Sequence, residues 1–285
     1  MEIRSTKAFQ NRLSNDGTPN PTIRKAERYD ACISIPVVSV VCLVYKSVKW
    51  LKFVRGQVMR YVDLSGKEFF FVANDAEEPV LRYLRENYIP HFVWNNSADQ
   101  RKEWYINNVY RAWNYGAKVA RGDYLLFINS DMGFSPGWFE RLFKKLNGQN
   151  CVTSRLVESG KLSSGKYGIS KFFGRSSEEY SEERFLEYAE SIAEPSVRDG
   201  GLYMPLLIRR EDFLKVGGYP EGNIVPGSDI FHPVTAEQGK PCISGDNVLM
   251  QKLASVGVCH QTAMDSIVYH FQRGEMDEDP TIYSS

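Results

Sequence analysis

Runs of consecutive β-branched and aromatic residues predict where the strands of this chain lie. The first run covers residues 37–44 and the second covers residues 68–73. Shorter runs cover residues 89–94 and 124–128. Continuous apolar runs of this length are typical of strands that are buried on both faces, as in a parallel sheet.

Helical periodicity appears between and after these runs. Across residues 103–120, apolar side chains recur at spacings of three and four, which predicts one amphipathic helix. Ser135 and Pro136 predict the start of another helix, which extends to Leu146, with serine as its N-cap and proline in its first turn. Strands that alternate with helices in this way favour an α/β fold with a mostly parallel sheet.

The pattern loosens after Asn150. It still predicts helices at 177–193, 209–216 and 247–255, and strands at 202–208 and 266–269. The glycine- and lysine-rich segment 161–175 is predicted to be a loop, and 222–245 is predicted to be a long irregular loop of the kind that often lines an active site. Residues 1–35 are polar at first and are predicted to form an N-terminal arm.

Charge and cysteine content narrow the classes of function. Lys and Arg together number 35, as do Asp and Glu, so no net charge attracts nucleic acid, and no nucleic-acid partner is expected. The five cysteines are widely spaced without a CxxC pair, which indicates reduced thiols. A charged N-terminus predicts no signal peptide, and the longest apolar run is too short to be a transmembrane segment. A soluble, cytoplasmic protein is expected.

Polar residues follow three of the predicted strands. They are Tyr45 and Lys46 after the first strand, Asn74 and Asp75 after the second, and the triplet 129–131 after the strand at 124–128. Ligands of parallel sheets bind outside the carboxyl ends of the strands, so these clusters should lie together. A carboxylate such as Asp131 at a strand end can hold a divalent cation, although it can also simply cap a turn.

The segment around this triplet resembles a known family. Residues 114–131, NYGAKVARGDYLLFINSD, place Asn-x-Gly before Gly-Asp-Tyr, an apolar strand and Asn-Ser-Asp. This order resembles the family 2 nucleotide-sugar glycosyltransferases of GT-A fold. Five further segments are similar to family motifs in the same order: SVVCLVYK at 39–46, FFVAND at 70–75, LIRREDFLKVGGY at 207–219, GDN at 245–247 and VYH at 268–270.

The resemblance implies a fold and an activity. The fold is expected to be α/β of GT-A type, a Rossmann-like, mostly parallel sheet flanked by helices in a single compact domain. Residues 36–150 would form the nucleotide-sugar-binding half and 151–285 the acceptor-binding and catalytic half. The activity would be inverting transfer of a hexose from a nucleoside-diphosphate sugar to a glycan or other hydroxyl acceptor, with Mn²⁺ or Mg²⁺ as cofactor.

The resemblance also implies roles for individual residues. Asp131 and His270 would bind the metal, and Asp246 would be the general base that takes the acceptor proton. Eight residues would bind the nucleotide sugar: Val44, Tyr45, Asn74, Asp75, Arg111, Asn114, Asn129 and Ser130. If another carboxylate served as the base, Asp229 in the irregular loop would be the next candidate.

Other interpretations of these residues stay open. Asp246 stands at a predicted helix start and could be an N-cap, Arg111 could lie on a solvated helix face, and Trp138 fits the core better than a sugar platform. Asn74, Asn129 and Gly245 stand where the family usually has acids, which leaves a non-catalytic binding module as an alternative. A sugar-phosphate nucleotidyltransferase would need a glycine-rich loop after the first strand, and 44–47 contain no glycine.

Overall fold

A ten-stranded mixed sheet runs through the described part of the chain. The computed structural model describes residues 37–103, 105–221 and 244–277, and the backbone alone of 223–224, 231–232 and 278. The strands are β1 (Val38–Val44), β2 (Lys67–Asn74), β3 (His91–Trp94), β4 (Tyr124–Ile128), β5 (Met132–Phe134), β6 (Asn150–Glu158), β7 (Ile169–Ser170), β8 (Val197–Asp199), β9 (Leu206–Arg209), the separate pair β10 (Asn223–Ile224) and β11 (Phe231–His232), and β12 (Cys259–His270).

Helices connect and flank these strands. They are α1 (Val48–Tyr61), α2 (Glu78–Glu86), α3 (Tyr105–Val119), α4 (Trp138–Phe143), α5 (Glu182–Ile192), α6 (Arg210–Lys215) and α7 (Gly245–Ser255). Among the described residues, no helix is both long and apolar enough to cross a membrane. The predicted N-terminal arm at 1–35 and most of the predicted loop at 222–245 lie outside the described residues.

The order of strands is β3-β2-β1-β4-β9-β6-β12-β5, with β7 paired to β6 and β8 to β12. The first four strands are all parallel. Strand β9 is antiparallel to both β4 and β6, while β6 and β12 are parallel. The α/β prediction of GT-A type is therefore confirmed, with a parallel first half and a mixed second half.

Close contacts hold α3 against the centre of the sheet. A Cβ on Gly116 would come within 2.7 Å of the Val41 side chain, so glycine allows the helix to approach β1 closely. Just after the helix, the Gly122 amide donates to the Ser39 hydroxyl at 2.8 Å, and a Cβ there would meet the Ser39 backbone nitrogen at 2.6 Å. These contacts fix where β4 begins and therefore where its polar end lies.

The prediction for the start of α4 was wrong in detail. The helix begins at Trp138, and Gly137 with φ 72° occupies the N-cap position. The Ser135 hydroxyl donates instead to the Ile267 carbonyl at 2.8 Å, so it joins β5 to β12 and does not cap a helix. Trp138 is fully buried and stacks on Phe134 with ring centroids 4.3 Å apart, which places it in the core.

Candidate functional site

A cavity of about 570 Å³ lies at the carboxyl edge of the parallel strands. Its lining includes eight of the eleven predicted site residues: Val44, Tyr45, Asn74, Asp75, Asn129, Ser130, Asp131 and His270. Strands β1, β2 and β4 are parallel neighbours, so their polar ends reach the same edge of the sheet. The sequence prediction that these clusters lie together is confirmed.

Asp131 and His270 face each other at one end of this cavity. Their Oδ1 and Nε2 atoms are 3.6 Å apart, and the Gly274 amide donates to Asp131 Oδ2 at 2.9 Å. On its other side, the His270 Nδ1 donates to Glu158 Oε1 at 3.2 Å. Residues 270 and 158 are register partners on the parallel strands β12 and β6. The imidazole is thus held between two buried carboxylates.

This arrangement shifts the pKa of all three groups. Burial opposes protonation of His270, but the attraction of Asp131 and the bond to Glu158 outweigh it and raise the pKa of His270 to about 10. Burial would raise the pKa of both carboxyls, but the imidazolium holds the pKa of Asp131 and of Glu158 below their ordinary values. Without a metal, the two carboxylates therefore favour the protonated, cationic form of the imidazole.

The side chains of Asp131 and His270 suit a divalent metal whose remaining ligands come from a bound substrate and water. In the described part of the chain, no three His, Cys, Asp or Glu side chains are grouped to hold a metal. Asp131 supplies carboxylate oxygen, and a neutral His270 that keeps its Nδ1 proton on Glu158 would present Nε2 towards Asp131. Oxygen and imidazole nitrogen suit Mn²⁺, and phosphate oxygens and water would supply the remaining ligands.

A hydrogen-bonded network surrounds Asn74 and Asp75 at the end of β2, which is separated from β4 by β1 in the sheet. Asn96, only 2% exposed, donates through Nδ2 to Asp75 Oδ2 at 2.6 Å and to Asn74 Oδ1 at 3.2 Å. Its backbone amide donates to Asp75 Oδ1 at 2.8 Å, and the Arg101 Nε lies 3.2 Å from the same oxygen. Asp75 has φ 47°, a left-handed conformation that this network holds in place.

Two predicted nucleotide-binding residues do not line the cavity. Arg111 is 7% exposed and donates to Glu103 at 2.7 Å and to Glu221 at 2.9 Å, so the alternative of a solvated face is wrong. Asn114 bonds the backbone of Tyr219 in both directions, each at 2.8 Å. Both side chains tie α3 to neighbouring segments in the structure.

Asp246 is not a helix cap. The N-cap of α7 is Ser244, whose hydroxyl accepts from the Asn247 amide at 3.3 Å, and Asp246 is the second residue of the helix. Its carboxylate accepts from the Tyr110 hydroxyl at 3.2 Å, and burial raises the pKa of Asp246 to about 6. Tyr110 belongs to α3, whose residues Ile106 and Val109 line the cavity, although Asp246 itself does not.

Steric contact explains why the residue before Asp246 is glycine. A Cβ on Gly245 would lie 2.3 Å from the Tyr110 ring, so any side chain at this position would displace the ring that contacts Asp246. Glycine at this position, where the family usually has an acid, therefore leaves room for the Tyr110 ring that contacts Asp246. This departure from the family pattern is compatible with a working carboxylate at 246.

Several cavity residues were missed by the sequence analysis. Those that line it are Arg101, Glu103, Tyr105, Asn108, Arg273 and Glu275. Glu275 accepts from the amides of Tyr45 at 3.1 Å and Ser47 at 3.3 Å, so the segment after β12 forms a wall across the end of β1. Arg273 and Glu275 closely follow β12 and carry the same strand-end signal that revealed the other clusters, whereas the other missed residues lie at least seven positions beyond the end of β3.

Comparison with known proteins supports one family. Residues 106–196 match the model of Glycosyl transferase family 2, and this segment contains most of α3, all of β4 and Asp131. No curated protein matches the chain significantly. The match confirms the resemblance seen in the sequence, over the part of the chain where the motif is densest.

Proposed function

We propose that this family 2 glycosyltransferase moves a sugar from a nucleoside-diphosphate donor to a hydroxyl acceptor, with inversion and with a divalent metal. One observation carries the proposal: the ends of β1, β2, β4 and β12 place predicted nucleotide-binding and metal-binding residues in a single cavity of about 570 Å³. Its volume is in the range that small-molecule ligands occupy in proteins. The half at 36–150 would bind the donor and the half at 151–285 the acceptor.

The two ends of the cavity suit the two ends of a nucleotide sugar. Val44, Tyr45, Asn74 and Asp75 would surround the nucleoside, with the Tyr45 ring able to stack on the base. Asp131 and His270 would hold Mn²⁺ or Mg²⁺ beside the diphosphate, with Asn129 and Ser130 next to them in the same turn. The metal would act as a Lewis acid that stabilises the departing diphosphate.

Asp246 would be the general base. Its pKa of about 6 leaves most molecules ionised at neutral pH and keeps the carboxylate basic enough to accept a proton from a hydroxyl. The Tyr110 hydroxyl orients the carboxylate by donating to Oδ2. In an inverting transfer, this carboxylate takes the acceptor proton as the oxygen attacks the anomeric carbon opposite the diphosphate.

A panel of isotope-labelled nucleoside-diphosphate sugars tests the proposal. The chain is incubated with each donor, Mn²⁺ and simple sugar acceptors, and both nucleotide binding and release of labelled sugar are measured. The proposal predicts binding and turnover with at least one donor. Binding without turnover, to acceptor or to water, would instead support the non-catalytic binding module, and no binding at all would contradict both.

A further inference from the structure

The side chain of Asn96 can adopt only one orientation. The Trp94 indole Nε1, which can only donate, lies 3.2 Å from Asn96 Oδ1. The Asp75 carboxylate, which accepts and does not donate when ionised, lies 2.6 Å from Asn96 Nδ2. A donor-only group at one end and an acceptor at the other fix which end of the amide is oxygen and which is nitrogen.

The orientation of Asn96 in turn fixes that of Asn74. The Asn96 Nδ2, already identified as a donor, also lies 3.2 Å from the Asn74 side chain, which must therefore present its carbonyl oxygen there. The Asn74 amino group is left on the cavity side, and within the described part of the chain no protein group accepts its hydrogens. Asn74 is 7% exposed and lines the cavity.

The neighbouring carboxylate of Asp75 is engaged by other protein groups. Its Oδ1 accepts from the Asn96 amide and lies beside Arg101, and its Oδ2 accepts from the Asn96 side chain. The polar group that position 74 offers to a nucleobase is an N–H donor. A carboxylate at position 74 would offer an acceptor in its place.

We propose that Asn74 recognises the nucleobase of the donor by donating a hydrogen bond to an acceptor atom on the base edge, with Asn96 as the positioning residue that fixes this polarity. The inference rests on the proposed function and adds a chemical criterion for its substrate. Uracil and cytosine present opposite donor and acceptor groups at positions 3 and 4, and guanine and adenine do so at positions 1 and 6. A donor at position 74 that meets one of these atoms should therefore select within the pair.

The test compares nucleotide affinities, without any requirement for turnover. Calorimetry with Mn²⁺ gives Kd for UDP, CDP, GDP and ADP. The informative quantity is the ratio of the two Kd values, UDP against CDP or GDP against ADP, in whichever pair binds more tightly. Asn74→Asp keeps the size of the side chain and still accepts from Asn96, but it reverses the polarity towards the base. We expect the ratio to shift by roughly tenfold or more, against the base that the native chain prefers, as the loss of one buried hydrogen bond implies.

Further variants separate recognition from a general loss of affinity. Asn74→Ala and Asn96→Leu should both move the ratio towards one, because the first removes the donor and the second lets the Asn74 amide rotate. Asn108→Asp makes the same chemical change at another cavity residue and should leave the ratio within twofold while changing the affinities of both nucleotides. Thermal melting of each variant confirms that it is folded.

The outcomes distinguish the two proposals. A ratio that is unchanged in Asn74→Asp, with both nucleotides still binding, would overturn the role of Asn74 and leave the proposed function intact. A ratio that is unchanged in Asn96→Leu would overturn the positioning role of Asn96. Failure of the native chain to bind any of the four nucleotides at millimolar concentration would overturn the proposed function and this inference with it.

Discussion

Replacing Asp246 by Asn should stabilise the chain while removing its activity. Burial raises the pKa of this carboxyl from an ordinary value of 3.8 to about 6, which means that the folded state disfavours the charged form. Asn has the same shape, carries no charge and can still accept from the Tyr110 hydroxyl. The variant therefore removes a desolvated charge and keeps its hydrogen bond.

The size and the pH dependence of the effect follow from the two pKa values. In the native chain, the unfolded carboxyl ionises near pH 4 and the folded one near pH 6, so the free energy of unfolding falls as the pH rises between these values. Each pH unit is worth about 1.4 kcal/mol, so the full cost is about 3 kcal/mol. Asp246→Asn should be more stable than the native chain by that amount at pH 8 and nearly equal to it at pH 4.

Two assays on the same variant test this reasoning. Urea unfolding at pH 4 and pH 8 gives the stability difference, and transfer to acceptor at saturating donor should fall by roughly 10²–10⁴-fold with donor affinity nearly unchanged. Asp99→Asn, which removes an exposed carboxylate paired with Lys102, is the control and should change neither quantity appreciably. A variant that loses stability at pH 8 yet transfers normally would refute the assignment of Asp246 as a desolvated base.

Three other changes test separate parts of the structure. Tyr110→Phe removes the hydroxyl that lowers the pKa of the base, so the acidic limb of the profile of kcat/KM against pH should move to higher pH, and an unmoved limb would contradict the contact. Glu158→Gln weakens the hold on the His270 ring, so Mn²⁺ affinity, followed by electron paramagnetic resonance, should fall roughly tenfold or more, whereas native affinity would exclude a positioning role. Gly116→Ala forces a methyl against β1 and should cost about 1–3 kcal/mol in urea unfolding. Gly56→Ala, on α1 with no atom within 4 Å of the added Cβ, should instead stabilise slightly, and equal effects of the two alanines would contradict the packing described for α3.

The first half of the fold was predictable because its signals are local. Long apolar runs mark β1, β2 and β4, and a regular stripe marks α3, so the parallel order and the shared edge follow from general rules of sheet topology. The helices α1 and α2 were not located, although crossovers between parallel strands require them. The stripe of α1 is broken by the polar Gln57, whose side chain is buried because it donates to Glu182 at 2.7 Å and accepts from the Phe134 amide at 2.9 Å.

The second half depends on contacts between distant segments. Strand β12 begins at Cys259, seven residues before the predicted start, because polar residues such as Gln261 and Thr262 pair with β6 and β8. Most of their partners lie far away in sequence, and a periodicity analysis cannot supply them.

The candidate site shows the same division. Residues that sit directly at strand ends were found, whereas Asn96 and Glu158 were missed because their roles depend on which side chains they hold. The orientation of Asn74 follows only from the chain of contacts that begins at Trp94. Sequence alone identified the type of residue at position 74 but not the polarity that it presents.

The proposed function depends above all on a metal-dependent donor site in the cavity beside Asp131. The most direct test measures transfer of labelled sugar by the native chain with Mn²⁺, by the native chain in excess EDTA, and by Asp131→Asn with Mn²⁺. Asn at 131 can still accept from the Gly274 amide, Glu158 still pairs with His270, and thermal melting confirms that all samples are folded at the assay temperature. EDTA and Asp131→Asn should each lower transfer by roughly 10²-fold or more, since a metal Lewis acid contributes several kcal/mol. Full transfer in EDTA, or by Asp131→Asn, would contradict the metal-dependent site.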